Sequence, residues 1–296
     1  MKLRELGEDR LIAEWIGRLR SGPDVIAGPG DDCAVVRLAG AEEFLVLKTD
    51  CIVEQIHFQP NEKPAAVGHK AMARTLSDFA AMAGVPRWAL VTLIAPPDRE
   101  PRWTNQLYQG LRKIADRFEV AIVGGETSST KGPAVISISA VGTVEKDRWV
   151  SRHRGKVGDA LYVTGKLGGS IRKKHLSFIP RIVEARWLSA HFSLHAMMDL
   201  SDGLGADLPR LARASEVGFE LDEKALPRTR GSSVEQAIND GEDYELLFAL
   251  PPNESTALEK KWRQKFPRLP LTRIGSFIPR SRFRPPPAFH GYVHFT

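Results

Sequence analysis

The sequence predicts two α+β domains, and three observations predict it. At 296 residues the chain exceeds the roughly 150 residues that one core usually serves. Apolar β-branched runs alternate with stretches of helical spacing in both halves. Around Arg148–Gly158 the sequence turns charged and glycine-containing, in RWVSRHRGKVGD, before a new apolar run begins. The boundary is therefore expected near Val150, giving domains 1–150 and 151–296.

In chain order, Leu11, Trp15 and Leu19 recur at helical intervals among charges. Phe44–Leu47, Ala89–Ile94, Val120–Val123 and Val135–Val141 read as strands because they are short, apolar and β-branched. Pro64–Ala83 and Arg102–Phe118 have the length and spacing of helices, and Met72, Leu76, Phe79 and Ala83 mark a core-facing stripe. After the boundary, strands are expected at Ala160–Thr164, Ala196–Leu200, Gly218–Leu221 and Tyr244–Leu250. Helices are expected at Arg181–His191, Gly203–Ser215 and Glu254–Phe266. The proline-rich RFRPPPAF reads as a connector to a last short strand, Tyr292–Phe295.

An apolar fraction of 42% and a charged fraction of 26% are ordinary for a folded protein and argue against disorder. The opening helix lacks a signal peptide's apolar stretch, and no run approaches the 18 or so apolar residues of a membrane span. A cytoplasmic protein without membrane contact is expected. Cys33 and Cys51 are too few for a disulfide framework and lack zinc spacing, so both are expected as reduced, buried thiols. The net charge of +6 is concentrated in a late run from Lys260 to Arg284. That run has no RNA-binding aromatic signature and lies far from the acidic motifs, so a solvated or phosphate-attracting surface is expected, with no nucleic-acid partner.

The distinctive feature is a set of short acidic motifs, most of them at the ends of apolar runs: GPGDDCAVV, KTD, LSD, GGET, MMDLSD and DGEDYELLF. Each alone reads as a turn or helix cap. Jointly they gather more carboxylates than burial tolerates without a cation. Hard oxygen ligands without His or Cys pairs select magnesium or calcium, and magnesium commonly joins carboxylates to phosphates. The usual phosphate-binding loop is absent: VTGKLGGS at Val163–Ser170 carries Leu167 where its hydroxyl belongs.

Taken in order, KTDCIVEQIHF, GHKAMARTLSDFAAMAGVPRWAL, MMDLSDGLGADLPRLARAS, GEDYELLF and GYVHF resemble the thiamine-monophosphate kinase family, of the aminoimidazole ribonucleotide synthetase-like superfamily. The resemblance runs from the first helix to the last strand. It implies an N-terminal domain that pairs with its mate into a dimeric β-barrel, a C-terminal α+β domain beside it, and ATP in the cleft. It implies magnesium-dependent, in-line transfer of phosphate from ATP to thiamine monophosphate by a homodimer. By motif match it implies magnesium at Asp32, Thr49, Asp50, Asp78, Glu126, Asp199 and Asp202. It likewise implies nucleotide contacts at Gly125, Glu126, Arg152 and Ser201, and substrate contacts at His57, Glu242 and Phe289. Asp50, Asp78 and Asp199 are the expected catalytic centre.

Three positions depart from the family pattern: Lys48 stands for a small hydroxyl residue, Glu126 for Asp, and Phe289 for Trp. Two other readings share these motifs: a superfamily relative that activates a different acceptor, and a non-catalytic nucleotide-binding regulator, supported by Lys48 and Glu126 alone.

Overall fold

The computed structural model describes residues 2–16, 19, 22–284 and 289–292. The first half begins with two helices, α1 (Leu3–Leu6) and α2 (Glu8–Ile16), and builds a six-stranded sheet. Its strands are β1 (Val25–Ala27), β2 (Ala34–Arg37), β3 (Glu43–Val53), β4 (Val85–Ala95), β5 (Ala121–Ser129) and β6 (Val135–Glu145). They lie in the order β1-β2-β3-β6-β4-β5, antiparallel except for the parallel pair β4 and β5.

Helices α3 (Pro64–Ala81) and α4 (Pro101–Arg117) cover one face of this sheet. Both open with proline, whose fixed φ suits the first helical turn. They touch at Gly68 and Gly110, where an added Cβ would stand 2.0 Å from the Leu107 carbonyl oxygen and 1.9 Å from that of Ala65. Only hydrogen fits there.

The second half forms a five-stranded antiparallel sheet in the order β8-β10-β7-β11-β9. Its strands are β7 (Ala160–Thr164), β8 (Ala196–Asp199), β9 (Gly218–Leu221), β10 (Leu246–Leu250) and β11 (Leu271–Ile278). Helices α5 (Ile182–His191), α6 (Leu204–Ala214), α7 (Val234–Asn239) and α8 (Ser255–Lys265) pack around it. Every residue of β7, β8 and β10 is buried, which explains their unbroken apolar runs.

The two halves share a core. One cluster of buried side chains runs from Ile52, Leu76 and Ile138 of the first half to Leu188, Phe248 and Trp262 of the second. Helix α3 carries the junction, packing on α5 and β8 as well as on its own sheet. Thirteen of its residues are buried, among them Lys70, Ser77 and Asp78.

Several expectations change. Strands β1, β2 and β11 and helix α7 were not expected, because their apolar runs are short or broken by charge. Strand β3 extends from the expected Phe44–Leu47 through Thr49 and Asp50, and β5 extends through Glu126. Asp50 and Glu126 therefore sit inside strands and not at their ends. Neither sheet closes into a barrel within one chain. Strands β3 and β4 are interior strands, and the edges of the sheet are β1 and β5. Cys33 is buried as expected, but Cys51 is exposed because odd positions of β3 face away from α3. The expected strand Tyr292–Phe295 lies outside the described residues beyond Tyr292. Among the described residues no helix is long and apolar enough to cross a membrane.

Candidate active site

Helix α3 places charged residues at Lys70, Arg74 and Asp78, four apart and therefore on one stripe. This stripe faces β3 and the loops of the second half. Each of its three charges meets an opposite charge there.

At the inner end, Asp78 meets Asp32 from the loop before β2 and Asp199 from the end of β8. One oxygen from each of these buried carboxylates lies within 4.8 Å of the others. Burial first, and the neighbouring carboxylates after it, pushes Asp78 well above the usual range and Asp199 up to about 7. Three partners offset the repulsion. Arg152 grips Asp32 through two nitrogens, with Nε at 3.0 Å from Oδ2. The Lys48 ammonium stands 3.1 Å from Asp78 Oδ2, and the Ser77 hydroxyl donates to Asp199 at 2.5 Å.

Asp31, the neighbour of Asp32, accepts the Arg152 amide at 2.7 Å and pairs with His153 at 3.2 Å. It holds the interdomain segment in place beneath the cluster. An all-oxygen donor set of three buried, converging carboxylates fits a hard divalent cation.

Further along α3, Arg74 Nε lies 3.1 Å from Asp50 Oδ2 and lines a cavity of about 250 Å³. His57, Ser201, Asp202, Glu242, Tyr244 and Tyr292 line the same cavity. The wholly buried Lys70 ammonium supports it from below, 2.6 Å from Glu242 Oε1 and 2.5 Å from the His57 carbonyl oxygen. The His57 Nδ1 accepts the Val53 amide at 3.0 Å, which leaves the ring hydrogen on Nε2. Glu242 and Tyr244 adopt positive φ of 63° and 49°, so the loop that presents them is strained.

Asp202 pairs with Arg210, and its amide donates to Asp207 at 3.0 Å. Asp207 is fully buried, and burial followed by the adjacent Asp202 pushes it up to about 8. It holds the turn that carries Ser201 and Asp202.

The structure thus gathers Asp32, Asp78 and Asp199 in one group, with Asp50 and Arg152 beside it. It gathers His57, Ser201, Asp202 and Glu242 around the adjoining cavity. Thr49 is turned away: its hydroxyl lies 3.1 Å from that of Ser139 on the exposed face, because Lys48 and Asp50 take the face toward α3.

Glu126 lies in the edge strand β5, where its carboxylate accepts the Thr127 amide at 2.8 Å, apart from the three-carboxylate group. Gly125 before it is required by crowding, since a Cβ would stand 1.8 Å from the Val91 carbonyl oxygen. Phe289 is not among the cavity's lining residues. It stacks on Phe219 in the second-half core at 5.7 Å, and Tyr292 supplies the cavity's aromatic face from the tail.

Sequence reasoning picked out Asp31 only as part of its acidic motif, and missed Lys70, Arg74, Asp207, Tyr244 and Tyr292. The spacing of Lys70, Arg74 and Asp78 on an otherwise apolar helix was the available signal for two of them. The glycine loop at Val163–Ser170 is occupied by protein acceptors: the Gly168 and Gly169 amides donate at 2.8 Å to Asp243 and Asp240.

Residues 30–144 match the family model described as AIR synthase related protein, N-terminal domain, and residues 173–284 match its C-terminal domain. The thiamine-monophosphate kinase of Rhodopirellula baltica is 37% identical over 292 residues, covering 93% of this chain and 90% of that protein. The thiamine-monophosphate kinase of Escherichia coli K12 is 34% identical, covering 86% and 85%.

The solved structure of AaThiL complexed with AMPPCP and TMP superposes with a TM-score of 0.84 at 31% identity, covering 99% of each chain. The E. coli hydrogenase maturation protein HypE, at 19% identity and a TM-score of 0.69, shares the fold alone. Two matched domain models and a 37% identical relative aligned along nearly its whole length place the chain in the thiamine-monophosphate kinase family of AIR synthase related proteins.

Proposed function

We propose that this chain phosphorylates thiamine monophosphate with ATP, giving thiamine diphosphate and ADP. The observation that carries the reading is a cluster of three buried carboxylates next to Asp50, whose partner Arg74 lines the cavity, in a chain 37% identical to a thiamine-monophosphate kinase. Asp32, Asp78 and Asp199 would hold magnesium, with Asp50 beside them. When bound, the metal neutralises phosphate charge and withdraws electrons toward the leaving group.

The acceptor is itself a phosphate monoester, largely ionised near neutral pH, so no residue needs to act as a strong base. The chain's own contribution is positioning and charge. Arg152 offers a guanidinium beside the cluster, and Arg74 offers one at the cavity wall, both suited to phosphate oxygens. Glu242, held by Lys70, presents a carboxylate to the cationic thiamine portion, while Tyr292 offers an aromatic face and His57 an Nε2–H.

The apolar face of the first sheet favours a homodimer. Leu47, Trp88, Leu90 and Val123 are all exposed there, and a second copy of that face closing a β-barrel would cover them. We also propose domains 1–150 and 151–296; the gap between the last strand of one sheet, ending at Glu145, and the first of the other, starting at Ala160, supports a boundary in that segment. We place the enzyme in the cytoplasm, where unpaired thiols such as Cys33 and Cys51 stay reduced.

A coupled ADP-release assay tests the reading, comparing thiamine monophosphate, free thiamine and no acceptor. Turnover is expected with the monophosphate, and about 100-fold or more lower efficiency with thiamine, which lacks the phosphate anchor and would need deprotonation. Equal efficiency on both acceptors would defeat the acceptor geometry.

A further inference from the structure

We infer that the Lys48 ammonium serves as a built-in cation of the carboxylate cluster, standing in for one divalent ion that the site would otherwise need. The inference rests on the magnesium reading of Asp32, Asp78 and Asp199 and concerns how many ions that cluster takes.

The geometry comes first. Lys48 lies in the interior of β3, paired with Ala140 of β6, so its backbone position is fixed. Its side chain shares a face with Val46 and Ile52, both buried, and points toward α3. There its ammonium lies 3.1 Å from Asp78 Oδ2, and it is mostly shielded from water.

A lysine kept in such surroundings needs a reason beyond packing. Burying an ion pair gains little stability, and an apolar residue between Val46 and Ile52 would extend the core directly. The charges supply the reason. Three carboxylates that must converge to hold a metal face two fixed cations, Arg152 on Asp32 and Lys48 on Asp78, while Asp199 has a neutral donor in Ser77.

The two cations differ in kind. Arg152 is a planar fork locked by two bonds to Asp32, whereas an ammonium is a compact point charge with three donors. It can therefore keep one donor on Asp78 and turn another toward a phosphate oxygen, as a metal ion would bridge the two. The protein thereby carries part of its charge neutralisation in covalent form, independent of the metal concentration.

The test counts metal ions. Mn²⁺ binding to the full-length protein with the non-hydrolysable ATP analogue AMPPCP is measured by electron paramagnetic resonance, at saturating Mn²⁺. The wild type is compared with Lys48→Thr, which frees space and offers an oxygen, with Lys48→Gln, which removes charge alone, and with Lys48→Arg. Lys48→Thr and Lys48→Gln are expected to bind one more ion per active site than the wild type, and Lys48→Arg the same number. Thr suits a strand and Gln keeps the side chain's length, so at least one neutral variant is expected to fold.

An unchanged count in a folded neutral variant would overturn the inference. The same count with tighter binding would also overturn it, because the ammonium would then compete with the metal rather than replace it. A lower melting temperature with an unchanged count would assign Lys48 a purely structural role. Should the wild type bind no Mn²⁺ at all, the magnesium reading itself would fall, and this inference with it.

Discussion

At the scale of single residues, the site works by giving each converging carboxylate a specific partner. Asp32 has Arg152, Asp50 has Arg74, Asp78 has Lys48 and Asp199 has Ser77. Asp50 is the most informative of these because its partner also lines the cavity. Asp50→Asn keeps the shape and strand pairing of β3 but removes the charge that holds Arg74 at the cavity and one carboxylate beside the proposed metal group. Turnover is expected to fall by about 100-fold or more while the circular dichroism spectrum stays that of the folded protein. Steady-state kinetics near the wild-type rate would remove Asp50 from the catalytic group.

At the scale of elements, α3 organises the site, since Lys70, Arg74 and Asp78 anchor the substrate loop, the cavity wall and the carboxylate cluster in turn. Lys70→Met tests the outermost contact. The ammonium is wholly buried and ties Glu242 to the His57 carbonyl, so its loss leaves Glu242 without the cation that holds it. Breaking a buried pair costs about 3–5 kcal/mol. Because Glu242 stays partly exposed, the expected effect is smaller: a rise of about tenfold in KM for thiamine monophosphate, with KM for ATP little changed. An equal rise in both constants would mean that α3 itself had moved.

Much of this element was legible in the sequence, and the reasons are local. The run Pro64–Ala83 has helical spacing, a proline start and an apolar stripe, and it folds as α3 within two residues of its expected end. The carboxylates Asp32, Asp78 and Asp199 were legible as motifs because acids beside apolar runs are conspicuous. What chain order hides is which motifs meet. Thr49 and Asp50 are adjacent in the sequence, yet strand alternation sends them to opposite faces. Phe289 and Tyr292 lie three residues apart, and only the packing of Phe219 decides which of them is drawn into the core. Lys70 reads as an ordinary polar helix position until the loop of Glu242 is folded over it.

At the scale of the whole molecule, the halves are tied by polar contacts as well as by their common core. Arg186 of α5 makes two bonds to Glu145 at the end of β6, one of them to Oε1 at 2.5 Å, and also reaches the Ala83 carbonyl at 3.0 Å. The Arg186 hydrogen bonds hold Glu145 down at about 2, against an ordinary 4.5. A carboxyl whose folded value is depressed contributes stability above its unfolded value and loses it as pH falls through the folded one.

After discounting for the solvent that reaches this pair, the tie contributes about 1 kcal/mol. Glu145→Gln is therefore expected to lower the unfolding free energy by about that amount at pH 7, and the difference from wild type should shrink between pH 4.5 and pH 2. Denaturant unfolding at several pH values checks it. A difference that persists unchanged at pH 2 would show that the loss comes from packing rather than charge.

The larger question at this scale is what covers the open face of the first sheet. Its far face is sealed by α3 and α4, against which Ala89, Val91 and Leu93 of β4 are buried. The alternating residues Trp88 and Leu90 point the other way and are each 47% exposed, beside Leu47 of β3 and Val123 of β5. Single exposed apolar residues are common, but four on one face of a sheet form a patch that soluble proteins usually cover. A second copy is the simplest cover, because an interface with twofold symmetry lets the same patch meet itself. Leu90→Glu places a charge in the middle of that patch without touching the face that packs on α3. The wild type is expected to run at twice the mass of the chain at micromolar concentration, and Leu90→Glu at the mass of one chain with an unchanged circular dichroism spectrum. Light scattering after size exclusion decides it, and a monomeric wild type would leave this face to another partner.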